Sequence, residues 1–520
     1  MKVRGVQRMM SAALVVLLAG GAAAGCSGST RGSAVTDPGE SGATTTANSA
    51  ATVTQPTVQV DESEFPGSLA AFSGNDVWVD GAAGDDGNDG STREQALRTV
   101  DEAWQRIPAG SELTTGYRLR IVSGMYPAET LVNYWEDRHG TDSAPIIVEA
   151  ADGAHTVTFE GDINMYGVSH FALIGIDIIR TGDAFHCELC DHVLIRDSEL
   201  SGGGTAQEAI KINQSQFVYI ENSDIHGAED NAIDFVAVQY GHITGSRIHE
   251  AGDWCMYAKG GSAYLTVSGN EVYDCGTGGI TAGQGTGFEF MASPWLQYEA
   301  YGIRILDNVI HDTEGAGLGV NGGYNVLLAG NTLYSVGTRS HVVEFVHGAR
   351  SCDGNTDACT ANHDAGGWGP GATGVDVPIP NRHVYFVNNI VVNPDGVQSQ
   401  WQHFAVHGPS TPPDDSGAPS PSLADDDLRI IGNVIWNGSA DMPLGVGDDS
   451  GCGAANPTCN ESQLLNDNQI NTWQPQLRDP GNGDYQLTAE SAAARPAAAA
   501  VPEFVWTDAP AGVSAPAVWV

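Results

Sequence analysis

The chain contains three lysines, and two of them, Lys211 and Lys259, sit in short segments crowded with carboxylates. The segments AIKIN (209–213), AIDFV (232–236), CMYAK (255–259), GITAG (279–283) and GLGVN (317–321) share one pattern. Small or apolar residues fill their second and fourth positions. Side chains alternate across an extended strand, so the third and fifth positions point the other way. Lys211, Asp234, Tyr257 and Thr281 then form one outward line, and Asn213, Val236, Lys259, Gly283 and Asn321 a second. Glu208, Asp230 and Asp253 fall on the turns just before. An amine among carboxylates can take a proton from a substrate, and paired carboxylates can hold a hard cation. The same residues have a structural reading, with Lys211 and Asp234 as an inter-coil ion pair and Lys259 as one rung of a repetitive scaffold.

What must position these residues is a repeat. FALIGIDI (171–178), VLIRDSEL (193–200), VYIENSDI (218–225), HITGSRIH (242–249), LTVSGNEV (265–272), IRILDNVI (303–310), VLLAGNTL (326–333), VYFVNNIV (384–391) and LRIIGNVI (428–435) are versions of one unit. Their starts recur every 22–25 residues, apart from three wider gaps of 38, 58 and 44. Such a period marks a solenoid, and the runs are too short and too β-branched for helical repeats. About three short strands per coil predict an all-β fold, a single right-handed parallel β-helix. The sixth position of the units, Ile176 in the first and then Ser198, Ser223, Asn270, Asn308, Asn331, Asn389 and Asn433, with Ser246 at the fifth position of HITGSRIH, predicts an internal hydrogen-bonded ladder.

Residues 71–165 are expected to hold an N-terminal cap and the first coils, 166–440 the β-helix core, and 441–520 the C-terminal coils, cap and tail. The cap comprises a turn-rich acidic loop, in which Asp85, Asp86 and Asp89 are candidate calcium ligands, and an amphipathic helix over 94–106. The wide gaps predict insertions at 281–302, 347–383 and 396–427 that project from one edge. They carry Trp295, Tyr298, Tyr301, Trp368 and Trp401, candidates with Tyr273 for stacking on sugar rings. His341, Glu344, His347 and His363 have weak metal-ligand spacing.

Lys2, Arg4 and Arg8 precede the apolar run SAALVVLLAGGAAAG, which is too short to span a membrane. It ends in Ala-Ala-Gly-Cys, which resembles the lipobox of bacterial lipoproteins. That resemblance implies a signal peptide over 1–25, acylation of Cys26 and a protein at the cell surface. With Ala23 where the motif usually has Leu, a plain secretory signal is the alternative. Residues 26–70 are poor in large apolar side chains and read as a flexible linker. The other eight cysteines (Cys187, Cys190, Cys255, Cys275, Cys352, Cys359, Cys452 and Cys459) fall into local pairs. In an exported protein this reads as disulfides, and CxxC occurs only once, against zinc. The formal charge of −42 disfavours nucleic acid and anionic lipid surfaces as partners. Any membrane contact is expected through the lipid anchor alone, and the chain is read as a monomer.

Two families of the pectin lyase-like group resemble the strand line. Asp230-Asn231-Ala232-Ile233-Asp234, with Lys211 and Lys259 one coil to either side, is similar to the D-D-x-x-D calcium cluster and lysine base of calcium-dependent pectate lyases, Asn231 replacing the second acid. That resemblance implies calcium at Asp230 and Asp234 and β-elimination from an acidic glycan, with Lys259 or Lys211 as base and Arg304 as a substitute. Polygalacturonase-type hydrolases are similar more remotely, over DNAID, GDWCMYAKGG and GTGGI. There Asn231 and Trp254 stand where catalytic acids are expected and the histidine is missing, so Asp253 alone survives, with Asp234 or Glu208 as stand-ins. The expectation is an extracellular polysaccharide lyase, with Lys259, Lys211 and Asp253 catalytic and Tyr257, Trp254, Asn321, Trp295 and Arg304 on the substrate. The alternatives are a non-catalytic carbohydrate-binding module and a glycoside hydrolase.

Overall fold

The computed structural model describes residues 72–447 and 449–501. The expected signal peptide, Cys26, the whole linker and the final tail lie outside the described residues. The described chain is nearly all β. Apart from a small side sheet and a C-terminal hairpin, its strands form three parallel stacks, each strand pairing with its counterpart one coil on. The first stack runs from Gly74–Val79 through Ser169–Ile174 and Ser262–Ser268 to Asp426–Ile431. The other two belong to one 20-stranded sheet, because the long strands Glu199–Asn213 and Asp224–Val236 run through the corner between them. The second stack includes Arg247–Ala251, Glu271–Cys275 and Val309–Thr313. The third includes Trp254–Lys259, Gly278–Gly283, Ala316–Asn321 and His341–Val346. This is a parallel β-helix, as the repeat predicts.

Inward-facing Ile, Val, Leu and Phe from all three stacks form one continuous core. The ladder runs beside it. Asn308 Nδ2 donates to Val267 O and to Asn331 Oδ1, while its Oδ1 accepts from Asn270 N and Nδ2, all at 2.9–3.0 Å. In the earlier coils Ser198, Ser223 and Ser246 hydroxyls accept single backbone N–H groups. Asn468 extends the ladder beyond the expected core.

The cap helix is shorter than expected and spans Val100–Gln105. Leu97 N donates to Trp78 O, so residues 96–98 lie along the first strand and cover its edge. Asp86 accepts from the N–H groups of Arg98 and Thr99, and Thr99 caps the helix by accepting from Glu102 N. The helix therefore cannot begin before Thr99. All four expected disulfides are present, pairing 187–190, 255–275, 352–359 and 452–459.

Two insertions fold together at the side of the coil. Gly285–Gly287 pairs with Gly348–Ser351, which pairs with Val377–Ile379. The third expected insertion, 396–427, is interrupted by a third-stack strand, Gln402–Val406. A buried ion pair holds the side structure. Arg350 and Glu299 side chains are both 0% exposed and meet at 2.6 Å, and Arg350 also donates to the carbonyls of Leu296, Gln297 and Trp368.

Candidate functional site

The outward face of the third stack carries the predicted line. Backbone register places His186, Lys211, Asp234, Tyr257, Thr281, Gly319 and Glu344 on consecutive coils. The apolar partners that alternate with them, from Ile210 and Ile212 to Leu318 and Val320, are all buried inside.

Lys211 lies between two carboxylates, with Nζ 3.1 Å from Glu208 Oε1 and 3.1 Å from Asp234 Oδ2. Burial opposes the Lys211 charge, but Asp234 and then Glu208 outweigh it, and the pKa rises above the ordinary lysine value. Glu208 is pushed up to about 7, chiefly by burial, with the Lys211 ammonium opposing. Two nearly buried carboxylates share one ammonium, and protonating Glu208 removes the excess negative charge.

Lys259 has a different setting. Its half-buried Nζ donates to Gln284 Oε1 at 3.1 Å and lies 4.1 Å from the centroid of the Tyr257 ring. Among the described residues no carboxylate oxygen lies within 4 Å of it. Gln284 Nε2 reaches Asp253 Oδ2 at 3.4 Å, so one amide spans the lysine and the carboxylate. Tyr257 is buried, and burial, then the charges of Asp234, Glu208 and Asp230, lift its phenol well above the ordinary value. Asp230, half-buried, is also raised, first by burial and then by Asp253 one coil on.

The strand carrying Lys259 ends in Gly260 and Gly261, both left-handed (φ +65° and +85°). A Cβ at Gly261 would stand 2.3 Å from Trp295 O, so a side chain there is excluded. Gly260 N donates to Glu299 Oε2, which also accepts from Thr286 Oγ1. The Arg350–Glu299 pair thus fixes the turn directly after Lys259.

Several expected binders are not available to a ligand. Trp254 packs against Tyr257 and Ala316 at 2% exposure. Trp295 is buried among Tyr264, Tyr298 and Tyr301 in the core of the side structure. Tyr273 is sandwiched between His249 and His311. Arg304 lies in the first stack, beside Thr266 and Leu327, away from the line; burial brings its pKa down to about 10. Asn321 accepts from Thr281 Oγ1 and donates to Glu344 Oε1. Of the insertion tryptophans, Trp401 is 58% exposed and lies beside His341, whose Nε2 is 3.0 Å from Glu344 Oε2.

The metal expectations meet dispersed groups. Asp85 accepts from Gly87 N, Asp86 from Arg98 N and Thr99 N, and Asp89 from Ser91. Each carboxylate thus organises its own turn. His347 and His363 point to separate carbonyls, of Ser422 and Asp415. Among the described residues the sets of three potential ligands that converge within 4.8 Å lie elsewhere, and include none of Asp85, Asp86, Asp89, Asp230 or Asp234.

Sequence reading missed His186, Gln284 and the Glu344–His341 pair as members of this face. FHCE (185–188) has the same alternation as AIKIN one coil later, so beginning the line there would have found His186. Burial and then Lys211 lower the His186 pKa, and its Nε2 is buried without a hydrogen-bond partner. No comparable signal marks Gln284, which stands in an insertion.

Residues 161–356 match the family model described as "Right handed beta helix region". The solenoid is a right-handed β-helix. No curated protein matches the chain. Among solved structures it is similar to a pectate lyase, at 14% identity and a TM-score of 0.40, covering 68% of this chain and 90% of that one. A rhamnogalacturonan lyase is similar at 13% and 0.45, covering 81% and 98%. The A-module of an Azotobacter vinelandii mannuronan C-5 epimerase is similar at 13% and 0.41, covering 65% and 91%.

Proposed function

We propose that this β-helix is an extracellular polysaccharide-acting protein that binds a uronate-containing glycan along its third stack and cleaves it by β-elimination. The observation that carries this reading is the contrast between the two lysines. Lys211 is clamped between Asp234 and Glu208, whereas Lys259 is half-buried, unpaired with any carboxylate among the described residues and oriented by Gln284. In this reading the Lys259 amine takes the proton at C5 of a uronate. The C5–H electrons form the C4=C5 double bond, the C4–O bond breaks, and the leaving oxygen takes a proton from water.

The face is rich in carboxylates, so an acidic glycan needs a cation beside it. Asp230 and Asp253, on successive coils with Asp253 raising the cost of ionising Asp230, are suited to hold calcium. When bound, calcium would neutralise the uronate carboxylate and make the C5 proton more acidic. Trp401 and His341 offer a surface farther along for a second sugar. The four disulfides fit an oxidising, extracellular compartment, and a lipid anchor at Cys26 would hold the protein at the cell surface.

Glu208, a buried carboxyl titrating near neutrality, favours a second reading, hydrolysis of a glycan by a carboxyl acid. One experiment separates these. The protein is incubated with uronate-containing and neutral polysaccharides, with and without calcium, while unsaturated uronate absorbance and new reducing ends are followed. Unsaturated product that is lost in Lys259→Ala supports elimination. Reducing ends without unsaturation point to hydrolysis, and glycan binding with neither product defeats both catalytic readings.

A further inference from the structure

The second stack carries a column of rings away from the third-stack face. His226, His249, Tyr273 and His311 occupy one register line. His226 and His249 stack at 4.8 Å with planes 3° apart, and Tyr273 follows at 4.4 Å and 7°. Behind the two histidines stand carboxylates, with His226 Nε2 3.1 Å from Glu199 and His249 Nε2 2.8 Å from Asp224. A proton on each Nε2 satisfies these contacts and leaves each Nδ1 as a lone pair.

The two Nδ1 atoms face Glu250. His226 Nδ1 is 3.9 Å from Glu250 Oε2, and His249 Nδ1 is 3.7 Å from Oε1. Both gaps exceed a hydrogen bond. The neighbouring His311 behaves differently, because its Nδ1 meets Asp312 at 2.9 Å, an ordinary hydrogen bond. His249 is 6% exposed, and its Nδ1 is buried without a hydrogen-bond partner. Ligand atoms from the three residues lie within 4.8 Å of one another, acceptors facing acceptors with no donor between them.

We propose that His226, His249 and Glu250 form a binding site for a divalent transition cation of the zinc or copper class. Imidazole nitrogen with one carboxylate is a donor set these ions take. Glu199 and Asp224 fix the ring orientation from the far nitrogen, as carboxylates do behind metal-bound histidine, and Arg247 in turn holds Asp224 at 3.1 Å. Glu250 has a left-handed backbone (φ +54°), which turns its side chain beside His249 instead of across the strand. The matching corner of the preceding coil is Gly227, which has no side chain to obstruct the ion. Bond lengths of about 2.0–2.1 Å require the rings to tilt toward each other. Glu250, with its side chain 61% exposed, is free to follow and leaves a side open to water.

The test uses the full chain, stripped of metal by chelator and dialysed. Zinc is titrated by calorimetry, and copper(II) is added while electron paramagnetic resonance reads nitrogen coupling. The expected result is a site with two coupled nitrogens that loses about tenfold or more in affinity in Glu250→Gln and in His226→Gln, with Asp224→Asn about tenfold weaker. Circular dichroism establishes that each variant folds. Should His226→Gln fail to fold, the exposed Glu250→Gln decides alone. Absence of zinc binding, or one isotherm shared by the wild type and Glu250→Gln, overturns the proposal. Neither result bears on Lys259, which lies in another stack.

Discussion

Lys259 holds its Nζ 4.1 Å from the ring centroid of Tyr257, two residues earlier on the same strand. The ring covers one side of the Lys259 nitrogen while Gln284 fixes another, so the amine is placed without a carboxylate partner among the described residues. Lys259→Ala should lower the rate of unsaturated product formation by about 10²–10⁴-fold. Stability should fall by about 1 kcal/mol, since a hydrogen bond and a ring contact are lost but no ion pair is broken. Gln284→Ala should keep the fold and lose about tenfold in rate through misplacement. Equal rates in wild type and Lys259→Ala would remove Lys259 from the chemistry.

Asp230 and Asp253 give the second prediction. Chelation should abolish unsaturated product, and added calcium should restore it. Asp253→Asn should raise the calcium concentration needed for half-maximal rate, because one of two carboxylate ligands becomes neutral. Full activity in excess chelator would remove calcium from the mechanism.

Glu208 makes stability depend on pH in an unusual direction for a carboxylate. Its folded pKa is about 7 against an ordinary 4.5, so the folded state binds this proton more tightly than the unfolded chain. The stabilising contribution is complete below about pH 4.5 and is lost as pH rises through about 7. Glu208→Gln keeps the side chain neutral and should remove this component. Denaturant unfolding at pH 5 and pH 8 should show wild type losing on the order of 2–3 kcal/mol more than the variant across that interval. Identical pH dependence in the two proteins would show that Glu208 is ionised throughout.

Glu299 and Arg350 connect the side structure to the turn after Lys259. Arg350→Met leaves Glu299 buried without its counter-ion, and the expected loss is about 3–5 kcal/mol. Activity should fall as well, since Gly260 N is held by the same carboxylate. Unfolding by urea together with the elimination rate tests both effects. A variant with unchanged rate would show that the turn holds Lys259 without this pair.

The fold was legible because β-helices write their geometry locally. The 22–25-residue period sets the coil, alternation sets the inward face, and the sixth-position Ser and Asn residues mark the ladder. The same alternation placed Lys211, Asp234, Tyr257 and Lys259 on the outward side. Register pairs Lys211 with Asp234, as the structural reading held. Burial was not legible where insertions decide it. Trp295 reads as an exposed loop aromatic until Tyr264, Tyr298 and Tyr301 close around it. Trp254 is covered by contacts across coils. The Glu299–Arg350 pair joins residues 51 apart from two insertions, and neither residue carries a local signal of its partner. Arg304 reads as a substitute base on the candidate line, but its strand joins the first stack, and which of three stacks a strand joins depends on the length of an insertion.

Asn308 tests the ladder on which all of this rests. Its amide makes four hydrogen bonds with Val267, Asn331 and Asn270 while being 1% exposed. Asn308→Ala leaves Asn270 N without its acceptor and takes one partner from Val267 O, while Asn270 Nδ2 keeps Ile243 O, at about 1–3 kcal/mol for each group left unsatisfied. Relaxation and entering water recover part of that, so the expected destabilisation is about 3 kcal/mol. Ser246→Ala, which removes one hydroxyl acceptor from Ser223 N, should cost less, about 1 kcal/mol. The ordering of the two variants in chemical denaturation is the measurement. A Ser246→Ala loss as large as that of Asn308→Ala would mean that the asparagine amides add nothing beyond capping a single backbone N–H.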